Sequence, residues 1–275
     1  MTNSVITNAS ALIALQNLNA TTQKLAVTQG RVNTGLKVQG AKDNAATWAI
    51  AQNQRSDMSA LDSVKTSLNR ATSVADVALA AGQQISDILV EIRQKATAAA
   101  DPSASAATRK AFDDEFQSLL KSLESFANNA SFDGENILDG SGAATLDFLA
   151  NADASETISM NRQDLTLVGL ALDGGLDLTD QANADAALTA VEAALTDANA
   201  KLAELGAQAK QIEKHTIFVS KLMDSLETGV GNLVDADMAR ESARLQALQV
   251  QQQLGAQALS IANQAPQIIL SLFKG

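Results

Sequence analysis

The chain's one histidine, His215, is the first residue to test for chemistry. A general base needs a partner that orients it and a nucleophile it can serve. His215 has neither a cysteine nor a second histidine to work with, and it lies inside a helical apolar run beside Thr216, so it reads as structural. The acidic run Asp113-Asp114-Glu115 holds enough oxygens for a hard cation. Its place near a helix start favours the simpler reading, charge at the positive end of a helix dipole. With no cysteine and one histidine, zinc and other transition metals have little to bind, and disulfides are excluded. No glycine-rich phosphate loop is present; Gly229-Val230-Gly231-Asn232 reads as a break between two helices. Trp48, among Ile50 and several alanines, reads as a core or interface anchor. Three matches to the N-glycosylation pattern (at Asn8, Asn19 and Asn129) carry no weight in a chain so rich in Asn and Ser. The expectation is a protein that is no enzyme, with no catalytic, cofactor or metal site.

The elements that would have to position such residues are long helices. Apolar residues recur every three or four positions from Leu61 through Val64, Leu68, Ala71, Ala75, Ala78, Gly82, Ile85 and Leu89 to Ile92. A second run goes Phe112, Phe116, Leu119, Leu123, Phe126, Ala130. A third extends from Leu188 to Val230, broken only at Thr216. This spacing keeps one stripe against a partner helix, as in coiled coils. Prolines at 102 and 266 alone interrupt the chain. Helix starts are expected at Asp101-Pro102, at Asp180 and at Asp235 or Asp237. A first rod helix from about Asp43 to Ala99 would be roughly 85 Å long. Between about Ile137 and Leu178, Asp-Gly turns separate short alternating runs (Leu146/Phe148, Ile158/Met160, Leu165/Leu167), which predicts a small β-hairpin excursion. The fold class is therefore mainly α: an elongated coiled-coil helical rod with a β-hairpin excursion, plus a pair of N- and C-terminal helices. The expected segments are 1–42 (terminal helix), 43–136 (rod helices), 137–180 (excursion), 181–232 (returning rod helix) and 233–275 (terminal helix).

Charge singles out the two ends. Leu245 to Phe273 is 29 residues without a charged side chain, and Met1 to Gln23 has none either. Residues 1–42 carry +4, residues 233–275 carry 0, and the middle carries −15 of the total −11. An acidic centre weighs against nucleic acid, which needs clustered Lys and Arg. Eight glutamines in the C-terminal stretch weigh against membrane insertion. No signal peptide is visible, so the protein is expected to be cytoplasmic or to leave by a route that needs no cleaved signal. In the N-terminal segment Leu18, Leu25 and Val32 lie seven apart, with Leu15 and Leu36 beside them. In the C-terminal one Ala247, Leu254, Ile261 and Ile268 lie seven apart, joined by Val250, Ala258, Ala265 and Leu272. Each end can thus offer an apolar stripe to the other, while Leu245, Leu248 and Leu259 lie off the stripe and call for further neighbours. Charge normally keeps surfaces apart, so such ends are expected to be buried only in an assembly.

The residues also resemble a known family. Ile6-Thr7-Asn8, Ala11-Leu12, Leu15-Gln16, the run Arg31 to Val38 (RVNTGLKV), Ala41-Lys42-Asp43-Asn44-Ala45-Ala46 and Ala49-Ile50-Ala51 are similar to the amino-terminal signature of bacterial flagellins. Leu233 to Ser242 (LVDADMARES), Ala256 to Gln267 (AQALSIANQAPQ) and Leu270 to Phe273 resemble the carboxy-terminal signature. Ser131-Phe132-Asp133-Gly134 with Ile137-Leu138 resembles the turn before the family's hairpin. The short middle and Trp48 look like flagellins of α-proteobacteria. The resemblance implies a filament subunit for cell motility, secreted unfolded through type III export and polymerised at the distal tip of an extracellular flagellum. It implies as partners further copies of the chain, the export apparatus, an export chaperone, and filament cap and junction proteins, with no cofactor. The expected polymer interface is Leu12, Leu15, Leu18, Leu25, Val32, Ala247, Val250, Leu254, Ile261, Ile268, Leu272 and Phe273. A hook–filament junction protein shares such end motifs and is the alternative. A secreted pore-forming protein is a third reading, opposed by the glutamine-rich face.

Overall fold

The computed structural model describes residues 8–272, and of 265–272 only the backbone. Phe273 therefore lies outside the described residues, as do the side chains of Ile268 and Leu272. Five helices, α1 (Ala9–Thr34), α2 (Ala45–Ala99), α3 (Ala106–Asn129), α4 (Gln181–Val234) and α5 (Met238–Leu272), account for most of the chain. Four short strands, β1 (Ser131–Phe132), β2 (Glu135–Asn136), β3 (Thr145–Leu149) and β4 (Thr157–Asn161), pair as two antiparallel hairpins. The protein is mainly helical with small strand pairs.

Short polar side chains start the helices. Asn8 accepts from the Ala11 N–H at 3.1 Å, Asn44 from Thr47 at 3.1 Å, Asp180 from Asn183 at 2.8 Å and Asp237 from Arg240 at 3.1 Å. Two expectations fail here. α3 starts at Ser105, which accepts from the Thr108 N–H, and not at Asp101-Pro102. The Asp101 carboxylate is already taken by the N–H and hydroxyl of Ser103, which closes a turn before the helix. Nor do Gly229 and Gly231 break the chain: α4 runs through both to Val234. The break falls at Asp235–Asp237, where Lys37 N–H donates to the Val234 carbonyl at 2.7 Å and Ala236 N–H to that of Gly35 at 2.8 Å. The first bond satisfies the end of α4 and the second satisfies the carbonyl of Gly35, the residue that caps α1.

The chain divides into two compact units, residues 1–56 with 225–275, and residues 57–224. α2 and α4 contribute to both. In unit 2 every position of the run Leu61 to Ile92 is buried. Ala184, Ala187, Val191, Ala194, Ala198, Leu205, Ile212 and Val219 of α4, and Phe116, Leu120, Leu123 and Ala127 of α3, are buried with it, and the pairs Arg93–Glu192 and Lys95–Glu115 tie α2 to α4 and to α3. Phe126, expected in the α3 stripe, is exposed, because the packed face is the one that carries Ala127. At Gly82 an added Cβ would stand 2.2 Å from Leu202 Cδ2, so glycine lets α4 approach. The β1–β2 turn uses Asp133 and Gly134 at φ 53° and 80°, as a two-residue hairpin turn requires. β3 and β4 pair Leu146 with Met160 and Phe148 with Ile158. Leu165 is buried but not in a strand; its N–H donates to the Leu138 carbonyl.

Candidate assembly surface

Unit 1 is built on α1 and α5. The seam on α1 is Ala11, Ala14, Leu18, Thr21, Leu25, Thr28 and Val32, all buried or half-buried at alternating spacings of three and four. The facing seam on α5 is Glu241, Leu245, Leu248, Gln252, Gly255, Leu259 and Ala262. Small residues let the two backbones approach: a Cβ on Gly255 would sit 3.3 Å from Leu18 Cδ1. Polar ties fix the register. Asn8 Nδ2 donates to the Ala262 carbonyl at 2.7 Å, Gln252 Nε2 to Thr22 Oγ1 at 3.4 Å, and Arg31 Nη1 to Glu241 Oε1 at 3.1 Å.

The stripe of Ala247, Val250, Leu254 and Ile261 is not this seam. It lies two residues away, about 200° around the helix, and so points to the opposite side. Leu245, Leu248 and Leu259, which lie off that stripe, are the residues that face α1. The reason is size and polarity: the intrachain seam accepts Glu241, Gln252 and Gly255 because Arg31, Thr22 and Leu18 stand opposite them. Val250, Leu254 and Ile261 are left 55%, 58% and 68% exposed. On α1, Leu18, Leu25 and Val32 face the pair, whereas Leu12 and Leu15 are exposed and line a groove of about 440 Å³ with Gln16, Asn19, Ala20 and Gln23. Ile13, Ala20 and Val27, seven apart and also exposed, were not singled out from the sequence; the seven-residue spacing was the available signal. A helix apolar on two faces, one of them uncovered, presents an exposed patch of the kind that marks an interaction surface.

The candidates for chemistry hold the fold together instead. His215 Nε2 lies 2.7 Å from the Ala150 carbonyl oxygen and its ring packs against Phe218. Asp113 Oδ1 accepts from the Leu178 N–H at 3.0 Å, and Glu115 pairs with Lys95. The acidic run lies beyond the first turn of α3, so it acts as a set of tethers and not as a cap on the helix dipole. Trp48 is half-buried. Among the described residues no group of His, Cys, Asp and Glu side chains is placed to hold a metal ion, and no helix is long and apolar enough to cross a membrane.

A terminal helix pair with an uncovered apolar face, joined to a helical bundle with hairpins, defines a self-associating structural protein. The chain belongs to the bacterial flagellin family and is a structural subunit of the flagellar filament. The family model of the bacterial flagellin N-terminal helical region matches residues 5–143, and that of the C-terminal helical region matches residues 188–273. Flagellin FljK of Caulobacter vibrioides is 48% identical over 272 residues, covering 99% of both chains. A flagellin of Brucella melitensis is 40% identical over 282 residues, again covering 99% of both. The crystal structure of Bacillus cereus flagellin has a TM-score of 0.51 at 22% identity, covering 55% of this chain and 87% of that one. A putative flagellar hook-associated protein from Vibrio parahaemolyticus has a TM-score of 0.58 at 14% identity, covering 70% and 100%. These two likenesses establish a shared fold, while the full-length relatives are flagellins, which disfavours the junction alternative. The family is structural and self-polymerising.

Proposed function

We propose that the filament is held by the outward faces of unit 1. Leu18, Leu25 and Val32 join α1 to α5 within one subunit. Leu12 and Leu15 on α1, with Ala247, Val250, Leu254 and Ile261 on α5, then pack against other copies. Ile268 and Leu272 continue the stripe by their sequence spacing, and Phe273, next to Leu272 in sequence, is assigned to the same contact. One observation carries this reading: α5 has two apolar faces and α1 covers one. The groove beside Leu12 and Leu15 supports it as a receptor for side chains of a neighbour's stripe. Each contact joins two different surfaces, and a repeat whose rotation does not close into a ring builds an open helical polymer. Fully burying each of Val250, Leu254 and Ile261 contributes roughly 1.5–3 kcal/mol, set against the ordering cost of association.

The same residues give the finer picture. The protein acts as a scaffold and not as an enzyme, since His215 and Asp113 are engaged in holding the fold. It leaves the cell by the flagellar export apparatus, escorted by a chaperone that shields the apolar ends, and adds to an extracellular filament beneath a cap. Deletion of residues 245–275 is the test. Electron microscopy of the truncated subunit at polymerising concentration should show no filaments; normal filaments would sink the assignment.

A further inference from the structure

Unit 1 holds a second uncovered feature, and it is charged. Lys24 and Arg31 of α1 and Arg244 of α5 line one cleft of about 280 Å³, with Gln23 and Thr28 on its wall. Arg31 is paired with Glu241 through Oε1. Lys24 and Arg244 have no acidic partner and no hydrogen bond among the described residues, so the cleft keeps two uncompensated cations around a half-buried guanidinium. Charge is also divided between the units. Unit 1 carries eight basic and five acidic side chains, a net +3; unit 2 carries twelve and twenty-six, a net −14. The opposite signs make unit 1 of one copy and unit 2 of another electrostatically complementary.

We infer that the Lys24–Arg31–Arg244 cleft receives a carboxylate from the acidic unit of a second copy in the filament. This inference rests on the filament reading given above. The geometry suits it: an aspartate or glutamate entering the cleft accepts from the Lys24 ammonium and the Arg244 guanidinium, and the Gln23 amide and Thr28 hydroxyl stand by as neutral donors. The contact offsets part of the repulsion among acidic units. It also sets orientation, because a partner packed on the apolar stripes in the wrong register leaves its carboxylate in an uncharged region and the cations unpaired.

The test uses the full-length chain and the double variant Lys24→Gln/Arg244→Gln, leaving the Arg31–Glu241 pair intact. Critical concentration for polymerisation is measured by sedimentation at about 0.05 M and about 1 M NaCl. Far-ultraviolet circular dichroism and thermal melting of the monomer confirm that the variant folds. At low salt the variant should need about tenfold more protein than wild type. At 1 M, where the screening length is about 3 Å, the gap should close. Equal critical concentrations at both salts overturn the inference. A gap that persists undiminished at 1 M also overturns it, because the side chains then act by packing. Wild type that never polymerises would strike the filament reading itself, an outcome separate from either.

Discussion

The two units of this chain are made of similar helices and reach opposite states. Among the described residues, unit 2 buries thirty-five apolar side chains and exposes six large ones; unit 1 buries six and exposes nine. Unit 2 satisfies its stripes internally: three helices present their apolar faces to one another, and the hairpins are pinned on by named bonds. Arg162 grips the Asn136 carbonyl and Glu135, Lys201 donates to the Asp164 and Gly169 carbonyls, and His215 meets the Ala150 carbonyl oxygen. Unit 1 has too few elements to cover what it carries. The contrast shows that apolar periodicity alone does not make a finished core; the count of partner helices decides whether a stripe ends as interior or as interface.

The largest effect should come from cutting at the centre of the finished unit. Phe116 is fully buried in unit 2. Phe116→Ala is expected to lower unfolding free energy by about 3–5 kcal/mol, measured by urea denaturation of the monomer. Leu254→Ala in unit 1 is expected to change monomer stability by less than about 0.5 kcal/mol while raising the critical concentration for polymerisation. A monomer destabilised as much by Leu254→Ala as by Phe116→Ala would erase the distinction between core and interface.

A smaller effect is expected at the one buried ion pair among the described residues of unit 1. The Glu241 side chain is 10% exposed, and its second oxygen, Oε2, has no hydrogen-bond partner. Removing Arg31 leaves a largely buried carboxylate without its cation. Arg31→Ala should therefore cost about 2 kcal/mol, and amide exchange should accelerate along α1 and α5 while unit 2 amides keep their protection. Uniform acceleration through both units would mean that they open together and not as separate bodies.

The smallest effect concerns the turns at the edges of unit 2. Hydrogen bonds from the Thr179 hydroxyl, the Thr179 N–H and the Asn183 amide hold the Asp177 carboxyl below its ordinary value of 3.8. Asp101 and Asp153 are lowered likewise, each by the hydroxyl and N–H of a serine two residues on. A lowered folded value means that these bonds contribute fully above the unfolded value, and that the contribution fades as pH falls through the lowered one. The Thr179 amide resonance should titrate with a midpoint below 3.8, and Asp177→Asn should abolish the transition. The unit 1 amides around Leu18 and Leu248 should stay silent over the same range; a shared titration there would tie the two units electrostatically.

Much of unit 2 was legible from spacing. The run Leu61 to Ile92 is apolar or small at every seam position, and all of those positions are buried, although Val74, Val77, Leu79, Ile88 and Val90 add apolar residues off the seam. The β3–β4 hairpin was legible from the alternation of Leu146, Phe148, Ile158 and Met160, whereas Asp133-Gly134 was legible only as a turn, at the end of the segment expected to be rod helix. Local competition between caps was not. Asp101-Pro102 has the composition of a helix start, but Ser103 captures the carboxylate first and Ser105 starts the helix four residues later. The glycines at 229 and 231 suggest a break, yet bonds from the Lys37 and Val38 N–H groups to the Val234 carbonyl end α4 beyond them, and those partners come from almost two hundred residues away.

The sequence by itself determined that the ends are charge-poor, helical and apolar beyond the needs of one partner, and that unit 2 carries the acid. Those properties follow from residue type and period, which exist before folding. Only the tertiary structure decided which of the two faces of α5 meets α1. Sequence period ranks faces by apolarity and would choose Ala247, Leu254 and Ile261. Packing chose Leu245, Leu248, Gln252, Gly255 and Leu259, because close approach at Gly255 and the bonds of Asn8, Thr22 and Arg31 reward that face. The more apolar face was thereby left outward, uncovered on the single subunit.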